Sequence, residues 1–191
     1  MSDDNLEYTV LNVEDVPCEF PEGSPLARTL DLWRSWSGSN AAPKWDDVEL
    51  YALPAIVLPQ TLVVDVIDGG ADFKYRFWGT KYTSHYGADE TGLLLSTSLG
   101  PSFIEATRKQ LNAVLASKAP CAFDVAIRAP RSGIVQTKLN LRLPIMDRPG
   151  EITKIMTATL FNETTINHRE KLLEAFSDDT KRLASEKPLS T

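Results

Sequence analysis

Apolar and polar side chains alternate most clearly over 121–128, where Cys121, Phe123, Val125 and Ile127 fall on one side and Asp124 and Arg128 on the other. A period of two predicts a strand with one face buried. A longer alternating run over 134–145 sets Leu139, Leu141 and Leu143 against Lys138, Asn140 and Arg142. Residues 61–67 (TLVVDVI), 73–78 (FKYRFW) and 152–161 read as three more strands, the first two joined by the turn Asp68-Gly69-Gly70. Other segments follow helical spacing. Ser24 and Pro25 open a helix marked by Leu26, Leu30 and Trp33, and Gly38 ends it. Asp46 and Glu49 resemble a capping pair for a short helix closing near Pro54. Thr80 is placed to cap a short helix through Tyr82, His85 and Tyr86 that Gly87 stops. Ser102 and Glu105 form a capping-box pattern for the longest internal helix, about 102–117, with Phe103, Thr107, Leu111 and Val114 on its buried side. After Asn162 the pattern turns helical again through Ile166, Leu173, Phe176 and Leu183.

The strands fall into two groups, each joined by short turns and therefore antiparallel, with helices crossing between them. That order predicts an α+β layer architecture. With 191 residues, 42% of them hydrophobic, the chain suits one compact domain with appendages. The net charge of −6 is uneven: residues 1–22 hold seven acids and no Lys or Arg, and the remainder carries +1. The expected division is an acidic, partly disordered leader over 1–23, a domain over 24–165, and an amphipathic helix with a tail over 166–191. A near-neutral body lacks the clustered basic stripe that nucleic-acid binding requires. No apolar run approaches the ~20 residues of a membrane span, and no basic-then-apolar signal follows the first residues, so a cytoplasmic location is expected. Cys18 and Cys121 lie 103 positions apart with no partner motif, which suggests reduced thiols, not a disulfide or a zinc site.

The segment FKYRFWGT (Phe73–Thr80), the short helix to Gly87 and the turn Ala88-Asp89-Glu90-Thr91-Gly92 resemble the first half of a PAS domain. Pro144 to Glu151 (PIMDRPGE) is similar to the hairpin before the last PAS strand, and Phe161 to Thr165 resembles a degenerate exit motif with Asn162 near the aspartate position. Trp33 on the first helix, followed by Pro43, Trp45, Asp46 and Leu53-Pro54, resembles a family of stand-alone bacterial PAS proteins of alphaproteobacterial type. The resemblance implies a five-stranded antiparallel sheet of order 2-1-5-4-3 with helices over one face, plus the N- and C-terminal helices. It implies a small-molecule sensor that signals through partners. The 26 residues after 165 are too few for a kinase or cyclase output domain.

By that resemblance Trp78, Tyr82, His85, Phe103, Thr107, Phe123, Val125 and Arg142 are the candidate ligand-binding residues, expected around one cavity between helices and sheet. Several have bland readings too. Trp78 either lines the pocket or packs under the first helix. His85 either meets a ligand or is a helix residue facing solvent or a backbone carbonyl. Periodicity sets Arg142 outward; an inward Arg142 would imply an anionic ligand, because a buried guanidinium needs a partner. Haem-binding PAS domains generally take a ligand from the long helix, which has no His here, and flavin photosensors need a Cys that 88–100 lacks, so no cofactor and no metal is expected. No Walker loop, GxGxxG, HExxH or GxSxG is present. The expected function is a sensory or regulatory domain, not an enzyme, acting on an unknown small molecule through a homodimer or a signalling partner. The other readings are a small isomerase or dehydratase of the NTF2-like cone fold, and a pure interaction module.

Overall fold

The computed structural model describes residues 8–129 and 134–166, with only the backbone of 162–166. Its elements are β1 (Thr9–Val16), α1 (Pro25–Ser37), β2 (Thr61–Ile67), β3 (Asp72–Trp78), α2 (Thr80–Tyr86), α3 (Pro101–Ser117), β4 (Cys121–Arg128), β5 (Val135–Ile145) and β6 (Lys154–Ile166), with short 3-10 turns between them. All strand pairs are antiparallel, in the order β1-β4-β5-β6-β2-β3.

The sheet has six strands, not the expected five. The additional one, β1, lies inside the acidic segment expected to be a partly disordered leader, and it pairs with β4 from Thr9↔Arg128 to Val16↔Ala122. Its sequence hides it. Asn12, Glu14 and Asp15 interrupt the apolar alternation, and the register shifts between Val10 and Asn12. An edge strand needs a partner on one side only, and charges on it discourage further pairing.

Local sequence explains most boundaries and corrects others. Ser24 Oγ accepts from Ala27 N at 3.3 Å and so caps α1. Asp46 and Glu49 do not open a helix; that stretch forms 3-10 turns over Trp45–Asp47 and Leu50–Ala52. Neither Thr80 nor Ser102 is a cap: α2 starts after Gly79 and α3 after Gly100, without a side-chain bond. Ser102 is used elsewhere. Its Oγ accepts from Val10 N at 3.2 Å and donates to Tyr8 O at 3.3 Å, tying β1 to α3. The helix expected after Asn162 does not begin there, because β6 runs on to Ile166, opposite Val135. The rest of the expected terminal helix lies outside the described residues.

Helices cover both faces of the sheet. On one, Leu141, Leu143, Ile145, Met156 and Ala158 are fully buried, and α1 packs over β5 and β6. Trp33 Nε1 donates to Pro144 O at 2.8 Å. Leu26, Leu30 and Trp33 are thus consumed within the chain, and α1 offers no free apolar stripe to a second copy. The other face lies under α2 and α3. Gly79 joins β3 to α2 at a point where a Cβ would stand 2.3 Å from Pro59 O and 2.8 Å from Thr61 O. No side chain fits between those carbonyls. Among the described residues no helix is long and apolar enough to cross a membrane.

Candidate functional site

The face of the sheet under α2 and α3 is not a plain apolar core. Strand register puts Arg142 between Cys121 and Thr157, Asn140 between Phe123 and Thr159, and Lys138 between Val125 and Phe161. All three polar side chains of β5 therefore point inward, each about 5% exposed or less. The outward Arg142 expected from periodicity is corrected. Leu139, Leu141 and Leu143 face α1's side instead. Both faces are covered, so alternation marks two sides without saying which is which.

A hydrogen-bond network fixes this strip. Gln110, on α3, accepts at Oε1 from Asn140 Nδ2 at 3.0 Å and from Arg142 Nε at 3.1 Å. Arg142 Nη1 donates to Thr157 Oγ1 at 2.9 Å. Thr159 Oγ1 donates to Asn140 Oδ1 at 2.9 Å, and the Tyr82 hydroxyl bonds to that of Thr159. At the other end, Lys138 Nζ donates to Tyr86 Oη at 3.0 Å. The ammonium lies 5.3 Å from the Phe103 ring centre, 5.5 Å from Tyr86, 5.6 Å from Tyr82 and 5.7 Å from Phe161. Such ring faces attract a desolvated cation.

Among the described residues, neither Lys138 nor Arg142 pairs with a carboxylate. The electrostatics show the consequence. Burial, with Arg142 further along the strand, pulls the Lys138 ammonium down to about 7. Burial pulls the Arg142 guanidinium down to about 10, against the opposing effect of Tyr82, Tyr75 and Cys121. Burial pushes the Tyr82 hydroxyl up to about 12, and those of Tyr75 and Tyr86 also rise. His85 falls to about 4 through burial first and then the charges of Lys138 and Lys81.

Several buried polar atoms here make no hydrogen bond: Tyr75 Oη, Trp78 Nε1, Glu90 Oε2, Ser98 Oγ and His85 Nε2. Tyr75 lies beside Ser98 without a bond of normal geometry. Its ring meets Trp78 edge-on at 4.9 Å, and Trp78 lies 5.2 Å from Tyr82. Trp78 also walls an outer groove of about 920 Å3, open to solvent, which Trp45, Leu50, Tyr51, Leu58 and Phe77 help to line.

The structure gathers Trp78, Tyr82, Phe103 and Arg142 into one cluster, so Trp78 does not pack under α1. Phe123 and Val125 share its sheet face, and Thr107 is buried on α3 one turn before Gln110. His85 sits at the rim, its ring 4.6 Å from both Tyr86 and Phe161. Sequence reasoning missed Gln110, Lys138, Tyr86, Thr157 and Thr159 as parts of the site. The unbroken polar series Lys138-Asn140-Arg142 was the available signal. Cys18 and Cys121, far apart in sequence, are brought close: burial first, and then the Cys121 charge, pushes the Cys18 thiol up, against Arg34. Among the described residues no three of His, Cys, Asp and Glu gather to hold a metal ion.

No family model matches the chain, and no curated protein does. Among solved structures it is similar to the sensory box histidine kinase/response regulator from Burkholderia thailandensis E264, with 13% identity, a TM-score of 0.36, and coverage of 66% of this chain and 92% of that one. A likeness at that level carries no inference about what this chain does.

Proposed function

We propose that this chain is a PAS-type sensory domain that binds a small molecule between its sheet and α2–α3 and passes the signal to a partner protein or a second copy. Two features support the fold assignment. Counted as first to fifth, β2 to β6 lie in the order 2-1-5-4-3, and the long helix α3 enters between the two strand groups. The observation that carries the binding role is the inward polar strip of β5. A sheet face needed only for stability fills with apolar side chains. Two buried cations with unsatisfied donors around them are expensive to maintain, and a bound molecule offsets that cost.

A catalytic role has less support. Proton transfer in a small isomerase wants a carboxylate beside a histidine. Among the described residues no Asp or Glu pairs with His85. Native mass spectrometry of protein purified from its own cells tests the proposal. A non-covalently bound small molecule, released on unfolding, is the expected result; protein that arrives bare and responds to no added metabolite contradicts it. The same spectra report whether two copies associate.

A further inference from the structure

Arg142 has five N–H donors, of which Nε and one Nη1 hydrogen are used by Gln110 and Thr157. The same face of the sheet carries two more unused polar groups on buried side chains, Tyr75 Oη, close enough to feel the Arg142 charge, and Trp78 Nε1. Indole N–H only donates, and a tyrosine hydroxyl can donate. Donors are in excess at this end of the strip, and what they lack is an acceptor with negative charge. The near carboxylate, Glu90, has one buried oxygen without a partner and makes no ion pair with Arg142.

Charge count narrows the class. Lys138 is four residues away along β5, ~13 Å of extended strand. It is already held by Tyr86 and four ring faces. One full positive charge therefore faces the donor group, which matches a single negative charge spread over two oxygens. A guanidinium and a carboxylate share that planar, two-point geometry. Of the rings on this face, those of Tyr75 and Tyr82 lie close enough to act on the Arg142 charge, and both meet Trp78; such a lining suits an apolar or aromatic body.

Resting on the binding role above, we propose that the interior beside β5 is a site for an organic monocarboxylate with an apolar, ring-sized body, its carboxylate on Arg142 and in reach of Tyr75 and Trp78. Trp78 also lines the outer groove. The lowered Arg142 affinity for protons agrees with this, since a bound anion offsets the burial that causes it.

The test is calorimetric titration of the full chain with phenylacetate, with the uncharged phenylacetamide, and with inorganic phosphate. Phenylacetate is expected to bind, phenylacetamide at least about tenfold more weakly, since it lacks the charge that a buried guanidinium recognises. Gln110→Glu places a carboxylate where Oε1 now meets Arg142 Nε at 3.1 Å. That variant is expected to remain folded and to lose phenylacetate binding, because Arg142 is then neutralised from within the chain. Tyr75→Phe removes an unsatisfied hydroxyl, so its unliganded melting temperature is expected to hold or rise while phenylacetate binding weakens. Equal binding of phenylacetate and phenylacetamide, unchanged binding in Gln110→Glu, or tighter binding of phosphate than of phenylacetate overturns the inference. A natural ligand without an acid group, found by native mass spectrometry, overturns the inference and leaves the sensory proposal standing. Protein that binds none of the three probes also overturns the inference, while the sensory proposal fails only if the protein arrives bare and responds to no added metabolite.

Discussion

Gln110 on α3 and Arg142 on β5 are joined across the interior by a single oxygen, with Nε donating to Oε1 at 3.1 Å. That same oxygen also holds Asn140. One amide thus fixes the distance between the long helix and the middle of the sheet. Gln110→Leu removes the acceptor for two buried donors at once. Each unsatisfied group costs about 1–3 kcal/mol, more when charged, so this substitution is expected to lower stability by at least about 3 kcal/mol. Urea unfolding followed by circular dichroism measures it; a loss under 1 kcal/mol would show that neither bond contributes as the geometry requires.

Lys138 gives the chain an alkaline dependence of stability. Its folded value is about 7, against 10.5 when exposed. Between those values the unfolded chain holds the proton and the folded one does not, so stability rises with pH from about 7 upward. One such group supplies at most about 1.4 kcal/mol per pH unit. From about pH 8.5 the raised Cys18 thiol, and above pH 10 the raised tyrosines Tyr75, Tyr82 and Tyr86, act the other way, so the clean window is about pH 7 to 8.5. Unfolding midpoints across that window are expected to climb in the native chain and to lie flat in Lys138→Met.

His85 sets a slope on the acid side. Burial holds it near 4, below the usual 6.5. Stability contributed by the neutral ring is intact above pH 6.5 and is lost as pH falls through about 4. In His85→Phe the loss between pH 6.5 and 4 should be smaller than in the native chain, with thermal melts at half-unit steps as the measurement.

Gly79 allows no side chain. A Cβ there meets two backbone carbonyls, Pro59 O at 2.3 Å and Thr61 O at 2.8 Å, and backbone cannot swing aside as a flexible side chain does. Gly79→Ala is expected to destabilise by about 1–3 kcal/mol, the usual range for overpacking. An unchanged melting temperature would place those carbonyls further apart than described.

Ser102 is expected to matter for β1 and not for α3. Its hydroxyl bonds Val10 N and Tyr8 O, and the helix is capped at Gly100 without it. Ser102→Ala should cost about 1 kcal/mol. Hydrogen exchange should quicken in residues 8–16 and stay the same along 103–117. Faster exchange in α3 alone would restore Ser102 to a capping role.

Much of the architecture was legible from short-range signals. Ser24-Pro25 and Gly38 bound α1 because capping is a property of neighbouring residues. The alternation of Cys121, Phe123, Val125 and Ile127 marks one side of β4 because side chains in a strand alternate by geometry. Such signals are silent on matters settled by distant parts of the chain. Thr9–Val16 is a strand because β4 offers it an edge, not because its own sequence alternates. Ser102 has the spacing of a cap, yet its hydroxyl is claimed by β1, 92 residues away in sequence from Val10. The orientation of β5 shows the limit most sharply. Its two sides differ plainly in sequence, leucine on one and Lys138, Asn140 and Arg142 on the other. A strand covered on both faces can bury either set, and only packing against α1 on one side and α3 on the other decided that the charged set faces the interior. The sequence determined the elements and their two-sidedness; tertiary contacts decided which side turned toward α2 and α3, because burial is a property of the whole fold and not of any segment.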